Sequence, residues 1–373
     1  MAGIYIHIPF CKQACSYCNF HFSISLRQKN DFLAALLKEI DFRRDYLAGE
    51  PVETIYLGGG TPSLLTPSQL DRIIKNIYEV FPIRGEPEIT LEANPDDMDR
   101  VKIREWKNTG INRLSIGVQS FMDRELVLMN RAHDARQAMD CIRQAKESFP
   151  NISADLIYGT ASLTEREWEE NLDAAISLDL QHLSCYALTI EPKTPLARMI
   201  REKKAKDIDP DIQASQFVSL MKRLEQAGFE HYEISNFAKA GKRSRHNASY
   251  WEGKKYLGLG PSAHSYDKVS RQWNIANNTL YIQSLEKGEL RFERETLTGA
   301  QILNEYIMTS LRTSEGCDLA YIRSLSDGES ANTVRIKAES HIRIGRLYED
   351  KQRLILTNSG KLFADGISAD LFF

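Results

Sequence analysis

Cys11, Cys15 and Cys18 lie near the start of a chain of 373 residues, separated by three residues and then by two. Three thiolates at this spacing can hold three corners of a cubane iron–sulfur cluster and leave the fourth iron without a protein ligand. An open iron takes a small-molecule ligand, so the spacing points to cofactor chemistry. A structural zinc site is the alternative, and it closes only with four ligands. His7 or His21 could be the fourth, but no second C-x-x-C and no H-x-x-x-H completes an ordinary zinc module. Gly58-Gly59-Gly60-Thr61-Pro62 is the next feature that could touch a ligand. Glycines let a backbone come close and expose its N–H and C=O groups. A tight strand-to-helix turn would look the same.

Residues so far apart need a frame that brings them together. Through the first 235 or so residues, short apolar runs alternate with longer amphipathic stretches. Residues 3–8, 53–57, 88–92, 112–117, 152–157 and 182–187 read as strands, with a further short strand at 231–234. Residues 28–47, 66–80, 97–106, 135–146, 164–177 and 212–227 read as helices. Thr66 suits an N-cap and Pro67 a first helical position. The alternation implies βαβ units and a parallel sheet, either a barrel or a doubly wound sheet. In a barrel the chemistry gathers at the C-terminal strand ends. Cys11 to Cys18 follow the first strand and Gly58 to Thr61 the second. Glu92 ends the third and Gln119 follows the fourth. Asp155 lies in the fifth, and Tyr186 and Ala187 in the sixth. All of them converge on one face if the barrel closes.

A net charge of −3 offers no overall basic surface for nucleic acid or anionic lipid. No apolar run approaches the roughly 20 residues that cross a bilayer. Residues 1–9 lack a basic start followed by a long apolar stretch. The expected location is the cytoplasm, with peripheral contact with a membrane left open. A disulfide scaffold would be small and cysteine-dense, which this chain is not. Cys141, Cys185 and Cys317 read as buried small hydrophobes. The organisation expected is a barrel over 1–235, an aromatic and Gly-rich connecting segment over 236–278, and a small helical domain with a terminal strand pair over 279–373.

The cysteine spacing resembles the signature of the radical S-adenosylmethionine (SAM) superfamily. The resemblance implies an α/β fold, a partial (β/α)6 TIM-like barrel followed by a small α+β, winged-helix-like domain. It also implies a [4Fe–4S] cluster whose open iron is chelated by the amino and carboxylate groups of SAM. Several further segments are similar to the coproporphyrinogen-dehydrogenase-like branch: the entry Tyr5-Ile6-His7-Ile8-Pro9-Phe10-Cys11, the turn Gly58 to Pro62, and Glu92-Ala93-Asn94-Pro95. So are the strand from Asn112 to Phe121, Arg131-Ala132-His133 and Asp155-Leu156-Ile157-Tyr158-Gly159. The resemblance implies SAM contacts at Tyr5, Gly59, Gly60, Thr61, Glu92, Gln119, Arg131, Asp155 and Ala187, with His264 near SAM. One departure is Thr160-Ala161-Ser162-Leu163-Thr164, where members of the branch carry Leu-Pro and a Gln.

Porphyrinogen dehydrogenases of this branch have a fourth cysteine two residues after the third. Here Asn19-Phe20 follows Cys18. Phe20, with His246-Asn247-Ala248-Ser249-Tyr250-Trp251, resembles the HemW-like group of heme chaperones. That resemblance implies heme and client hemoproteins as partners and no nucleic acid. A neutral imidazole at His246 can ligate iron, and Tyr250 and Trp251 offer flat faces to a porphyrin. A packed aromatic loop closing the barrel is the competing reading of the same residues. Oxidative decarboxylation of coproporphyrinogen III is the competing function.

Overall fold

A computed structural model describes residues 1–325 and 329–373. Six strands run parallel in the order β1 to β6: Ala2–Ile8, Val52–Gly59, Ile83–Ala93, Arg113–Gln119, Ile152–Tyr158 and His182–Ala187. Between them lie α1 (Lys29–Phe42), α2 (Pro67–Val80), α3 (Arg100–Asn108), α4 (Asp123–Leu128), α5 (Ala135–Lys146) and α6 (Glu165–Ser177). After β6 come α7 (Pro195–Arg201) and α8 (Pro210–Gln226). This is the expected partial barrel. Thr66 caps α2 with Gln69 answering in a capping box, and Thr164 with Glu167 does the same for α6.

Period-two alternation gives the barrel two different faces. Ile4, Ile6, Ile55, Leu57, Leu91, Leu114 and Leu183 point outward to the helices and are fully buried. The inward positions are polar or small. Tyr5, Tyr56, Thr90 and Arg113 form one register row across four strands, and His7, Gly58, Glu92 and Ser115 lie above it. The interior is thus a polar funnel inside an apolar wall.

The segment read as a connector instead extends the same sheet. Beyond β6 the strands β7 (Glu230–Glu233) and β8 (Asn236–Ala238) pair antiparallel. Helix α9 (Arg245–Trp251) follows, and β9 (Lys255–Leu259) then runs parallel to β1 on its free edge. Next come β10 (His264–Tyr266), β11 (Ser270–Asn274), α10 (Asn278–Glu286) and β12 (Phe292–Thr296), which complete a sheet of twelve strands.

A second core begins at Leu303. Its elements are α11 (Gly299–Leu311), β13 (Cys317–Asp318), α12 (Leu319–Leu325), α13 (Glu329–Arg343), β14 (Leu347–Asp350) and β15 (Arg353–Leu356), then α14 (Asn358–Lys361) and α15 (Ala364–Leu371). The sheet order β13-β15-β14 gives this unit the expected winged-helix arrangement. Among the described residues no helix is long and apolar enough to cross a membrane.

Candidate functional site

The loop after β1 carries the three cysteines, and it is tied down on both sides. Cys11 N–H donates to Ser23 C=O at 3.0 Å, and Ser23 N–H to Pro9 C=O at 2.9 Å. The far side rests on the turn after α4. Gln13 Nε2 donates to Asn130 Oδ1 and to its carbonyl, both at 2.8 Å. Asn130 Nδ2 returns a bond to Ala14 C=O at 2.7 Å, and Ser16 Oγ donates to Leu128 C=O at 2.9 Å. Arg131 Nη1 donates to Cys15 Sγ at 3.3 Å, and such bonds tune thiolate ligands. Burial pushes the Cys11 thiol up to about 11 and raises Cys18 as well. Without metal the Cys11 and Cys18 thiols are therefore protonated, and metal uptake releases their protons.

The thiols open onto a cavity of about 440 Å³ at the C-terminal ends of the strands. Gly59, Gly60, Thr61, Glu92, Gln119, Arg131, Asp155 and Ala187 all line it, as the sequence led us to expect. The glycine turn is a sterically required close approach. A Cβ on Gly60 would lie 2.6 Å from Phe10 C=O, immediately before Cys11. Glu92 holds this turn, accepting from Gly59 N–H at 3.1 Å and from Tyr56 Oη at 2.8 Å. Arg131 Nη2 donates to Asn94 Oδ1 at 2.6 Å and to Gly117 C=O at 2.7 Å. Gln119 sits at φ +67° beside a register shift in β4, a bulge that aims its side chain at the cavity.

Two carboxylates on the cavity wall are held out of water. Burial pushes Glu92 up to about 7 and Asp155 up to about 6. For Glu92 the nearby Asp155 charge adds to the rise, while Tyr56 and Gly59 oppose it. The ordinary carboxyl value is 4.5, so between that pH and about 7 the folded chain binds one proton more than the unfolded chain. Stability then falls as pH rises through this window. We expect Glu92→Gln to make the cluster-free protein more stable than the parent above pH 7, by about 1–3 kcal/mol. The gap should narrow toward pH 4.5. Thermal melts across this range check it, and a variant less stable than the parent at pH 8 would contradict it.

Five expected ligand residues lie elsewhere. Tyr5 is not on the cavity lining but stacks on Tyr56, which is, with ring centroids 6.1 Å apart. His264 is exposed on β10 and stacks on Trp273 rather than facing the cavity. His246, Tyr250 and Trp251 form the closed lower end of the barrel. Only 1% of His246 is exposed, and its ring lies 4.9 Å from that of Tyr56. Its Nδ1 is hydrogen-bonded to Thr54 Oγ1 at 2.8 Å and its Nε2 to Tyr250 Oη at 2.9 Å. Both nitrogens are thus engaged, and the imidazole is shut off from a ligand. Trp251 packs under the Arg312 guanidinium at 5.3 Å, joining the barrel floor to the C-terminal unit.

Sequence reasoning gave no role to Asn94 and Asn130, which support Arg131 and the thiol loop. Asn94 sits inside the quoted Glu92-to-Pro95 segment, and Asn130 directly precedes Arg131. The divergent loop after β5 is also accounted for. Thr160 Oγ1 and Ser162 Oγ donate to the buried Glu125 carboxylate at 2.5 and 2.6 Å, tying the loop to α4 and away from the cavity.

Residues 5–175 match the Radical SAM superfamily, and that span contains the thiol loop, the glycine turn and both carboxylates. The partial barrel, its thiol loop and this match define the class as a radical SAM fold. The heme chaperone HemW of Bacillus subtilis is 34% identical over 98% of both chains. The heme chaperone HemW of Mycobacterium tuberculosis is 32% identical over 98% of this chain and 93% of its own. The chain belongs to the HemW family. Among solved structures, the coproporphyrinogen III oxidase HemN of Escherichia coli has the same fold, with a TM-score of 0.86 at 24% identity over 100% of this chain and 90% of its own.

Superfamily membership implies a [4Fe–4S] cluster and SAM, and the donor set fits both. Three thiols share one cavity wall with a guanidinium at Cys15, beside an exposed backbone turn and two carboxylates. Among the described residues no three Cys, His, Asp or Glu side chains converge as a single metal ion requires.

Proposed function

We propose that the chain binds heme and passes it to client hemoproteins, with the cluster and SAM held in the barrel. The observation that carries this reading is full-length similarity to two heme chaperones, at 34% and 32% identity. Phe20 supports it. It stands where the dehydrogenase branch has a fourth cysteine, and it is 66% exposed on the cavity wall. Tyr186, 42% exposed, lies on the same wall. These two rings offer a porphyrin an apolar face at the mouth, which the buried His246 does not.

In this reading Cys11, Cys15 and Cys18 would hold the cluster and leave one iron open to a ligand. Gly59, Gly60 and Thr61 meet the amino acid end of SAM through the backbone. Asp155 and Glu92 accept from its hydroxyl or amino groups, and Arg131 pairs with its carboxylate. Gln119 and Ala187 complete the wall. When bound, the reduced cluster supplies an electron to the sulfonium of SAM.

The HemN-like fold favours a second reading, porphyrinogen oxidation. Anaerobic incubation of reconstituted protein with coproporphyrinogen III, SAM and a reductant separates the two. We expect no loss of propionate carboxyl groups. Turnover to protoporphyrinogen would sink the chaperone-only reading.

A further inference from the structure

Beneath the cavity the barrel holds a charge that none of these roles uses. Arg113 opens β4 and is only 1% exposed. None of its three guanidinium nitrogens has a hydrogen-bond partner among the described residues. Burying an unpaired guanidinium costs several kcal/mol, so a sequence that keeps one there has a use for its charge. Its position says where that charge acts. Arg113 shares the inward face of β4 with Ser115, Gly117 and Gln119, all on the cavity wall. Ser115, the next inward residue, donates to both oxygens of Asp155 at 3.3 Å. Arg113 also shares its row with Tyr56, whose hydroxyl donates to Glu92. Both cavity carboxylates therefore have a side chain leading down toward this one guanidinium.

We propose that Arg113 is a positioning residue of the ligand site, the buried counter-charge that keeps Asp155 a carboxylate able to accept from a ligand's hydroxyl groups. The groups that face Asp155 agree. Glu92 from β3 is the opposing anion, and the Tyr56 and Tyr186 phenols on the same wall are neutral. Arg113 and Arg131 are the cations. Arg131 is already bonded to Cys15, Asn94 and Gly117, while Arg113 has no competing bond. After burial and the Ser184 hydrogen bond, Arg113 is the next influence on this carboxyl, and it lowers it. Glu92 receives no such lowering from Arg113.

The inference rests on SAM occupying the cavity, and the test keeps the two apart. SAM affinity of the reconstituted protein is measured by equilibrium dialysis across the pH range that titrates Asp155. Wild type should lose affinity as pH falls and Asp155 protonates. In Arg113→Gln the loss should begin about one pH unit higher, with little change at the alkaline end. Arg113→Lys should restore the wild-type profile. In Asp155→Asn, adding Arg113→Gln should move nothing. A profile in Arg113→Gln that superimposes on wild type, or is lowered equally at every pH, overturns the assignment, and so does Arg113→Lys behaving like Gln. Absence of SAM binding by wild type would instead sink the SAM reading. If Arg113→Gln does not fold, difference infrared titration of wild type against Asp155→Asn and Glu92→Gln decides. Asp155 must be a carboxylate at neutral pH, and a protonated Asp155 there overturns the proposal.

Discussion

Cys15→Ser is expected to abolish the iron–sulfur cluster. After anaerobic reconstitution the variant should contain little iron or sulfide and lack the broad visible absorption of a [4Fe–4S] centre. The reason is the ligand count. Three thiols serve a four-iron cluster, so losing one leaves two irons without protein ligands. No neighbour can step in. His7 is bonded to His21 C=O at 2.8 Å, and His21 Nε2 is bonded to Asn278 at 2.7 Å. Cys141, Cys185 and Cys317 are buried in the cores. The loop itself should persist, because Gln13, Ser16 and Asn130 hold it without Cys15. The expected result is therefore a folded, cluster-free protein. Full iron and sulfide in the variant would remove Cys15 as a ligand.

His246→Ala is expected to cost about 3 kcal/mol of stability and to leave heme uptake by the folded protein intact. Removing the ring strips Thr54 and Tyr250 of a buried partner and opens a gap beneath Tyr56. Unpartnered buried polar groups and a cavity each cost on the order of 1–3 kcal/mol. The imidazole is held near a pKa of about 3, chiefly by burial, so its role is that of a neutral hydrogen-bonding core group. Thermal melts and hemin titrations of the same preparation check this. An unchanged melting temperature with selective loss of heme uptake would restore His246 as a ligand.

The contrast between these two sites shows what was legible in the chain. The thiols, the glycine turn and the strand-end carboxylates follow a topological rule. A residue just past a parallel strand faces the barrel mouth whatever its neighbours do. Tyr5, His246 and His264 obey no such rule. Tyr5 lies mid-strand, behind Tyr56 of the same row, which reaches the cavity in its place. His246 lies on a helix that plugs the far end of the barrel, and the sequence does not say which end α9 covers. His264 follows β9, which was not recognised as a strand. Its glycine reads as a loop residue, but a Cβ on Gly258 would lie 2.1 Å from His264 C=O. It marks a close approach of two strands. Missing β9 also hid the continuation of the sheet through β10, β11 and β12, whose antiparallel pairing breaks the βαβ rhythm. Arg113 was quoted within a motif yet given no task, because a buried unpaired charge is visible only once its surroundings are.

Heme handling by a cluster-bearing barrel is open to a direct heme-uptake experiment. Purified, cluster-reconstituted protein is titrated anaerobically with hemin, passed over a desalting column, and then mixed with an apo-hemoprotein. We predict a saturable Soret band that stays with the protein and moves to the acceptor. No retained heme at saturating hemin, or retained heme that no acceptor can take, would contradict the account.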